Sequence, residues 1–260
     1  MDALESILTR RSTRRMKAQV PDKRLIETVI AAGRAAPSGS NSQKTRLIVI
    51  TRKSVLDQLA KLVRQEFAEM EVTDDMYVSL KNSITRAKEG NYVFHYNAPV
   101  LIVTANKKNY GNAMADSACV LENMMIAANA LDLGSCWINQ LHWLTDHAFV
   151  RDCMKQLGME DDEFVTGGLI LGYGIDGMPE AAPGNRLEIQ YPGLSEQKKE
   201  TTFKRDGCCL NTDDSPFCLY RSQTFHSRNT NNNFVRYPAL EYSYCEKEGI
   251  APLCIYSTTE

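Results

Sequence analysis

Long apolar runs are missing from this chain of 260 residues. No stretch approaches the roughly 20 apolar residues that a membrane-spanning helix needs, so a membrane role is not expected. A dominant charge is missing too. The formal net charge is −2, and no overall field draws the chain to nucleic acid. There is no G-x-G-x-x-G run, which argues against a Rossmann-type nicotinamide domain. Cysteine is sparse where a core would form: only Cys119, Cys136 and Cys153 lie in the first 190 residues. None belongs to a C-x-x-C pair and each has apolar neighbours, so they read as small core hydrophobes rather than redox or metal groups. Cys208, Cys209, Cys218, Cys245 and Cys254 fall near the end, and His226 among them does not match zinc-ligand spacing. The opening Met1-Asp2-Ala3-Leu4-Glu5 has no basic region followed by an apolar one. A signal peptide is therefore not expected, and the cytoplasm is the default compartment.

What is present suits a packed globular domain. Apolar residues make up 43% and charged residues 24%. The length fits one ordinary domain plus an extension. The pattern places the domain at residues 1–191 and the extension at 192–260. The extension shows no convincing helical or strand period, is Asn-rich from Asn229 to Asn233, and is a candidate for disorder.

Within the domain, Asp2–Thr9 carries Leu4, Ile7 and Leu8 on one face of a short helix. Pro21-Asp22 opens an amphipathic helix through Leu25, Ile26, Val29, Ile30 and Gly33. Leu47–Ile50 reads as a strand covered on both faces, and Val55–Phe67 as a helix. Glu69–Asn97 is an irregular, mostly helical excursion. Its aromatics Tyr77, Tyr92, Phe94 and Tyr96 either line a pocket or anchor the excursion to the core or a partner. Pro99–Ala105 is a second buried strand. Ala113–Leu131, capped by Asn109 or Asn112, is apolar nearly all round and must be central. Asp116 and Glu122 interrupt it and read as interface carboxylates or partners of cations, while Met124-Met125 fills core. Gly134 ends that helix and Ser135–Ile138 is a short strand. His142–Leu157 is a further helix closed by Gly158. Phe164–Gly174 is a strand whose Gly167-Gly168 implies a close neighbour. Leu187–Tyr191 reads as a last, edge strand.

Three polar turns interrupt this pattern. Arg10-Arg11-Ser12-Thr13-Arg14 gathers guanidinium forks and hydroxyls, which serve phosphate oxygens well. In an extended turn Arg10, Ser12 and Arg14 point one way, and Arg11 points the other, toward surface or partner. Ala36-Pro37-Ser38-Gly39-Ser40-Asn41-Ser42-Gln43 cannot continue a helix. Its small residues let backbone approach a flat ligand, and Asn41 and Gln43 offer two-sided amides. Leu133-Gly134-Ser135-Cys136-Trp137-Ile138-Asn139-Gln140 puts two amides at a strand end, suited to the edge of a heterocycle. Each turn alone is an ordinary surface feature; together they suggest a phosphate-bearing planar cofactor.

These turns, the glycine-bearing strand Gly167-Gly168-Leu169-Ile170-Leu171-Gly172-Tyr173-Gly174 and the order of elements resemble the FMN-dependent nitroreductase family over roughly residues 1 to 191. The resemblance implies an α+β fold, with a central, mostly antiparallel or mixed sheet flanked by helices, and an intertwined homodimer holding two FMN sites at the subunit interface. It implies that Arg10, Ser12 and Arg14 hold the FMN phosphate and ribityl region, with Arg11 counted in the same cofactor-binding turn. Pro37, Ser38, Gly39 and Asn41 of the other subunit would cover the flavin ring, and Ile138 and Asn139 would lie at its reactive edge. The family's C-terminal loop carries a basic residue directly after its proline. Here Pro183 is followed by Gly184 and Asn185, and the cation of that loop is Arg186. Many members have Pro-Trp after the loop glutamine where this chain has Lys44-Thr45, a departure that bears on the substrate subgroup.

The implied activity is an FMN-dependent NAD(P)H:acceptor oxidoreductase. Hydride passes from NADH or NADPH through flavin N5 to a nitroaromatic, quinone or similar small-molecule acceptor, with ping-pong kinetics and no catalytic side chain. Arg14 would supply positive charge near the pyrimidine end of the ring. Flavin reduction, reductive dehalogenation and non-catalytic FMN storage stand as alternatives.

Overall fold

The computed structural model describes residues 1–176, Gln190 and the strands Leu219–Phe225 and Pro238–Tyr244. Two compact units divide the chain, Met1–Gly184 and Asn185–Glu260.

The first unit is an α+β sandwich built on a four-stranded sheet in the order β1-β2-β4-β3. Its strands are β1 Arg46–Ile50, β2 Val100–Lys107, β3 Gly134–Ile138 and β4 Glu163–Gly172. Every pairing is antiparallel, as the reading of a mostly antiparallel sheet requires. Central β2 is buried along Val100–Asn106, a mostly apolar stretch covered on both faces. Alternate residues feed two cores. Leu101, Val103 and Ala105 face α3 (Lys53–Glu69), α4 (Val78–Lys88) and α7 (Ala148–Gln156), where Leu59, Phe67, Ile84 and Met154 are fully covered. Val100 and Ile102 face α2 (Lys23–Arg34) and α5 (Ala113–Ala130), meeting Val29, Leu121 and Met124. Met124 and Met125 fill core as expected.

Several elements depart from the sequence reading. β1 is an edge strand, not a doubly covered one, and Val49 is exposed. α1 (Ala3–Thr9) forms as read; its stripe Leu4, Ile7 and Leu8 is exposed, while Ser6 is buried and its hydroxyl donates to the Ile126 carbonyl at 2.6 Å. α5 ends in left-handed Asp132 (φ 57°), so Gly134 opens β3 instead of ending the helix. Asn112 occupies the N-cap position of α5, but its side chain makes no cap bond. The single helix expected at His142–Leu157 is two, α6 (Gln140–Trp143) and α7, because Thr145 leaves the helix to accept the Val165 N–H. Left-handed Gly158 (φ 107°) closes α7 as expected. Tyr92 and Phe94 of the excursion are core anchors. Cys136 is buried and Cys119 and Cys153 are half-buried, all as free thiols; burial pushes the Cys153 thiol up.

The predicted edge strand Leu187–Tyr191 lies outside the described residues, apart from Gln190. In the second unit, β5 (Leu219–Phe225) and β6 (Pro238–Tyr244) pair antiparallel, where no strand period was read.

Candidate functional site

The basic turn is fastened at both ends. Before it, Asn129 at the end of α5 donates to the Ser6 carbonyl and the Thr9 hydroxyl, each at 2.9 Å. After α1 the chain runs beside β3: Ser12 bridges Ser135, and the Thr13 N–H donates to the Ser135 carbonyl at 2.8 Å. Thr13 is buried, Ser12 half-buried and Arg14 exposed, so alternation along this extended segment holds. Gly134 permits the approach, since a Cβ there would stand 2.7 Å from the Thr13 methyl. Two motifs more than a hundred residues apart thus share one sheet edge.

Arg10 lies 3.5 Å from Glu122, which is therefore paired with a cation, as read. Arg11 does not reach outward. Its guanidinium turns back onto the Leu8 and Arg10 carbonyls at 3.0 and 2.6 Å, satisfying the C-terminal end of α1. The Nε of Arg11 and the hydroxyl of Thr13 are buried without partners. Among the described residues Arg14 has no carboxylate partner; its guanidinium sits 6.0 Å from the Tyr96 ring centroid.

The Pro37–Gln43 loop folds into a 3₁₀ turn at Gly39–Asn41. Ser40, Asn41 and Gln43 all take positive φ, between 47° and 53°. Each such residue costs about 1–3 kcal/mol, least for Asn, so the shape must be held from outside. Within the loop, Ser38 accepts the Gln43 N–H at 3.0 Å and Asn41 accepts from the Gln43 amide at 3.2 Å. The stronger hold comes from Asp116 in the first turn of α5. Its carboxylate is buried, accepting the Gly39 N–H at 3.0 Å and the Tyr110 hydroxyl at 2.8 Å. Asp116 thus takes two neutral donors of its own chain rather than a cation, and it organises the loop. Sequence reading passed over Tyr110, although a carboxylate in the first turn of so apolar a helix signals a donor nearby.

At the end of β3, Ile138 is buried opposite Gly168, and Asn139 is half-buried with its carbonyl taken by the Trp137 indole at 2.7 Å. Gly167 admits that indole, as its close-neighbour reading required. Gln140 differs from expectation. It is buried and donates to Tyr92 at 2.9 Å, whose hydroxyl also meets Ser83, so it belongs to the core. Burial pushes the Tyr92 phenol up, against those two hydrogen bonds. Arg186 lies outside the described residues.

Two concavities, of about 180 and 100 Å³, meet at His95 and contain no residue of the three turns. Both fall below the roughly 300 Å³ at which ligand pockets begin.

Comparison with known proteins agrees with this arrangement. The profile of the Nitroreductase family matches residues 7–173. A nitrobenzene nitroreductase from Ectopseudomonas oleovorans is 25% identical over 219 residues, covering 73% of this chain and 92% of that protein. A Bacteroides fragilis nitroreductase solved with bound FMN is 28% identical with a TM-score of 0.62, over 76% of this chain and all of that one. One from Desulfitobacterium hafniense, also with bound FMN, shares the fold at 23% identity and a TM-score of 0.63, covering 74% and 98%. With a family profile matched over residues 7–173, this chain belongs to the nitroreductase family.

Proposed function

We propose that the protein is a homodimeric FMN-dependent oxidoreductase that draws electrons from NADH or NADPH and delivers them to nitroaromatic, quinone or similar small molecules. The observation that carries this reading is the seating of the basic turn against β3 through Thr13 and Ser135. It places Arg10, Ser12 and Arg14 beside the strand that leads into Ile138 and Asn139.

The residues present fit an FMN. A guanidinium without a carboxylate partner among the described residues and a half-buried Ser12 hydroxyl share one side of the turn, a donor set that suits a phosphoester. Pro37, Ser38, Gly39 and Asn41 belong to the loop that would lie over the ring, and Gly39 seats that loop on Asp116. When bound, FMN supplies hydride acceptance and release at N5, so no side chain has to act as acid, base or nucleophile. The protein's share is to bind, orient and exclude water. Arg10, Ser12 and Arg14 hold the phosphate and ribityl end, and Arg14 adds positive charge. Ile138 gives an apolar wall, and the Asn139 amide, its carbonyl engaged by Trp137, keeps its N–H groups for the ligand.

The geometry of α5 supports a pairing of two copies. The loop is anchored at Asp116 and α1 at Asn129, 13 residues apart, or about 20 Å along the helix. One chain thus holds its two grips at opposite ends of one helix, and a second copy is the simplest way to bring them together. The exposed stripe Leu4, Ile7 and Leu8 is the apolar surface such a pairing would cover. The free thiols suit a reducing compartment such as the cytoplasm.

The test is direct. The purified protein is expected to release FMN on denaturation, to bleach with NADH or NADPH without air, and to regain colour with a nitroaromatic or quinone. A yellow protein that no nicotinamide bleaches would indicate FMN storage instead.

A further inference from the structure

We propose that Tyr110, seated on the buried carboxylate of Asp116, is a positioning residue that holds the Pro37–Gln43 loop ready to close over the flavin, a role that rests on the FMN reading above. The Tyr110 hydroxyl is donor and acceptor at once. It donates to Asp116 at 2.8 Å, accepts from Ser42 at 2.8 Å and has the Gly39 carbonyl at 3.2 Å. Having one proton, the phenol gives it to the carboxylate, which is nearer and charged. The face of the same ring takes the Lys44 ammonium at 4.6 Å. One side chain therefore touches the loop at Gly39, Ser42 and Lys44, bracketing left-handed Ser40, Asn41 and Gln43. There is no slack in the seat: a Cβ on Gly39 would meet the Asn112 amide at 2.2 Å and the Tyr110 hydroxyl at 2.7 Å. The far side is pinned as well, for Asn106 donates to Thr45 at 3.1 Å and Ser117 lies 3.4 Å from the same hydroxyl.

The loop is thus restrained by a cation over an aromatic ring whose hydroxyl already takes the Ser42 proton. A loop held in its bound shape before the ligand arrives loses little conformational freedom on binding. Tyr110 thus contributes to flavin affinity without touching the flavin.

The experiment uses the full chain and the variants Tyr110→Phe, Asp116→Asn, Ser42→Ala and Lys44→Met. Two readouts are independent. In flavin-free protein, trypsin cleavage after Lys44 should accelerate several-fold in Tyr110→Phe, Asp116→Asn and Ser42→Ala, by more than the accompanying fall in global stability accounts for. In fluorescence titrations, Tyr110→Phe and Asp116→Asn should weaken FMN by about tenfold or more, mostly through faster release, as loss of a charge-assisted hydrogen bond predicts. The double variant should be little worse than the poorer single, because the two act as one unit. Ser42→Ala and Lys44→Met, which leave Asp116 and Tyr110 in place, should lose affinity by less. If Tyr110→Phe fails to fold, these two carry the test. Unchanged cleavage together with wild-type FMN affinity in the variants would overturn the proposal and leave the functional reading standing. Faster cleavage in a protein whose wild type takes no FMN would support the clamp and sink the functional reading.

Discussion

Gly134 and Thr13 occupy adjoining space so closely that a single methyl between them has no room, 2.7 Å separating the Thr13 methyl from where a Cβ on residue 134 would stand. The contact joins the basic turn to β3, and both neighbours are fixed, Thr13 by the Ser135 carbonyl and Gly134 by its pairing with Gly172. Gly134→Ala should therefore part the two segments. The expected cost is about 1–3 kcal/mol of stability, the usual effect of overpacking, together with weaker FMN binding. Thermal unfolding and flavin titration on the same sample measure both.

Arg14→Ala should separate affinity from stability. The side chain is exposed and its recorded neighbour is the Tyr96 ring at 6.0 Å, so the thermal midpoint should stay within a few degrees. FMN affinity should fall by tenfold or more, as expected for loss of a charge-assisted phosphate contact. An unchanged titration would remove Arg14 from the site.

Arg46 ties edge strand β1 to the start of β4. Its Nε donates to Glu163 at 2.7 Å, and that carboxylate is 2% exposed. Glu160 and Lys107 extend the cluster, and Glu163 raises the Arg46 pKa first through the hydrogen bond. Arg46→Met would leave a buried carboxylate poorly compensated. Discounted for the partial exposure of Arg46, the loss should be about 2–3 kcal/mol, read from chemical denaturation at neutral pH.

His95 should make the fold acid-sensitive. It is 3% exposed, and burial holds its pKa below the ordinary value, with the Leu56 backbone and Asp57 opposing. Around it stand Asp57, Lys53, Lys61, Arg64 and Tyr92. Here the unfolded state binds the proton first. Stability is greatest above the unfolded value of about 6.5, falls as pH drops below it, and levels off once the lower folded pKa is passed. His95→Leu should flatten the melting curve between neutral pH and about 5. The lowered carboxylates Glu160, Asp161 and Asp162 act later, since their stabilisation is lost only below the ordinary carboxylate range. An equally steep decline in His95→Leu would place the acid sensitivity elsewhere.

Removing residues 193–260 should leave flavin binding and turnover intact, because the three turns and the match to the family all lie before residue 174. Loss of both on truncation would mean that the extension takes part in the site.

Strong periodicity was legible in the sequence, and features decided by distant contacts were not. The run Val100–Ala105 announced a doubly covered strand because both its faces are buried. Leu47–Ile50 looks the same in sequence, yet Val49 is exposed because strand order puts β1 at the edge. The basic turn and the Gly-Ser strand were each recognisable, but only the sheet brings Thr13 to Ser135. The partner of Asp116 was not legible for a similar reason: Gly39 lies 77 residues away, and no local pattern reports a pairing of that span. Leu4, Ile7 and Leu8 gave the helix and its stripe, while the burial of Ser6 against Ile126 was not legible. Leu219–Phe225 mixes polar and apolar residues without alternation, whereas Leu240-Glu241-Tyr242-Ser243-Tyr244 alternates over too short a stretch to stand out, and pairing marks both as strands.

The central claim is that the turn of one copy and the loop of another grip the same FMN. The most direct measurement pairs two defective chains, one carrying Arg10→Ala with Arg14→Ala and the other Tyr110→Phe with Asp116→Asn, each with its own affinity tag. Heterodimers purified through both tags are then titrated with FMN. A shared site predicts that half of the sites recover wild-type affinity, since one pairing of intact turn with intact loop is rebuilt. Heterodimers that bind no better than either parent would contradict it.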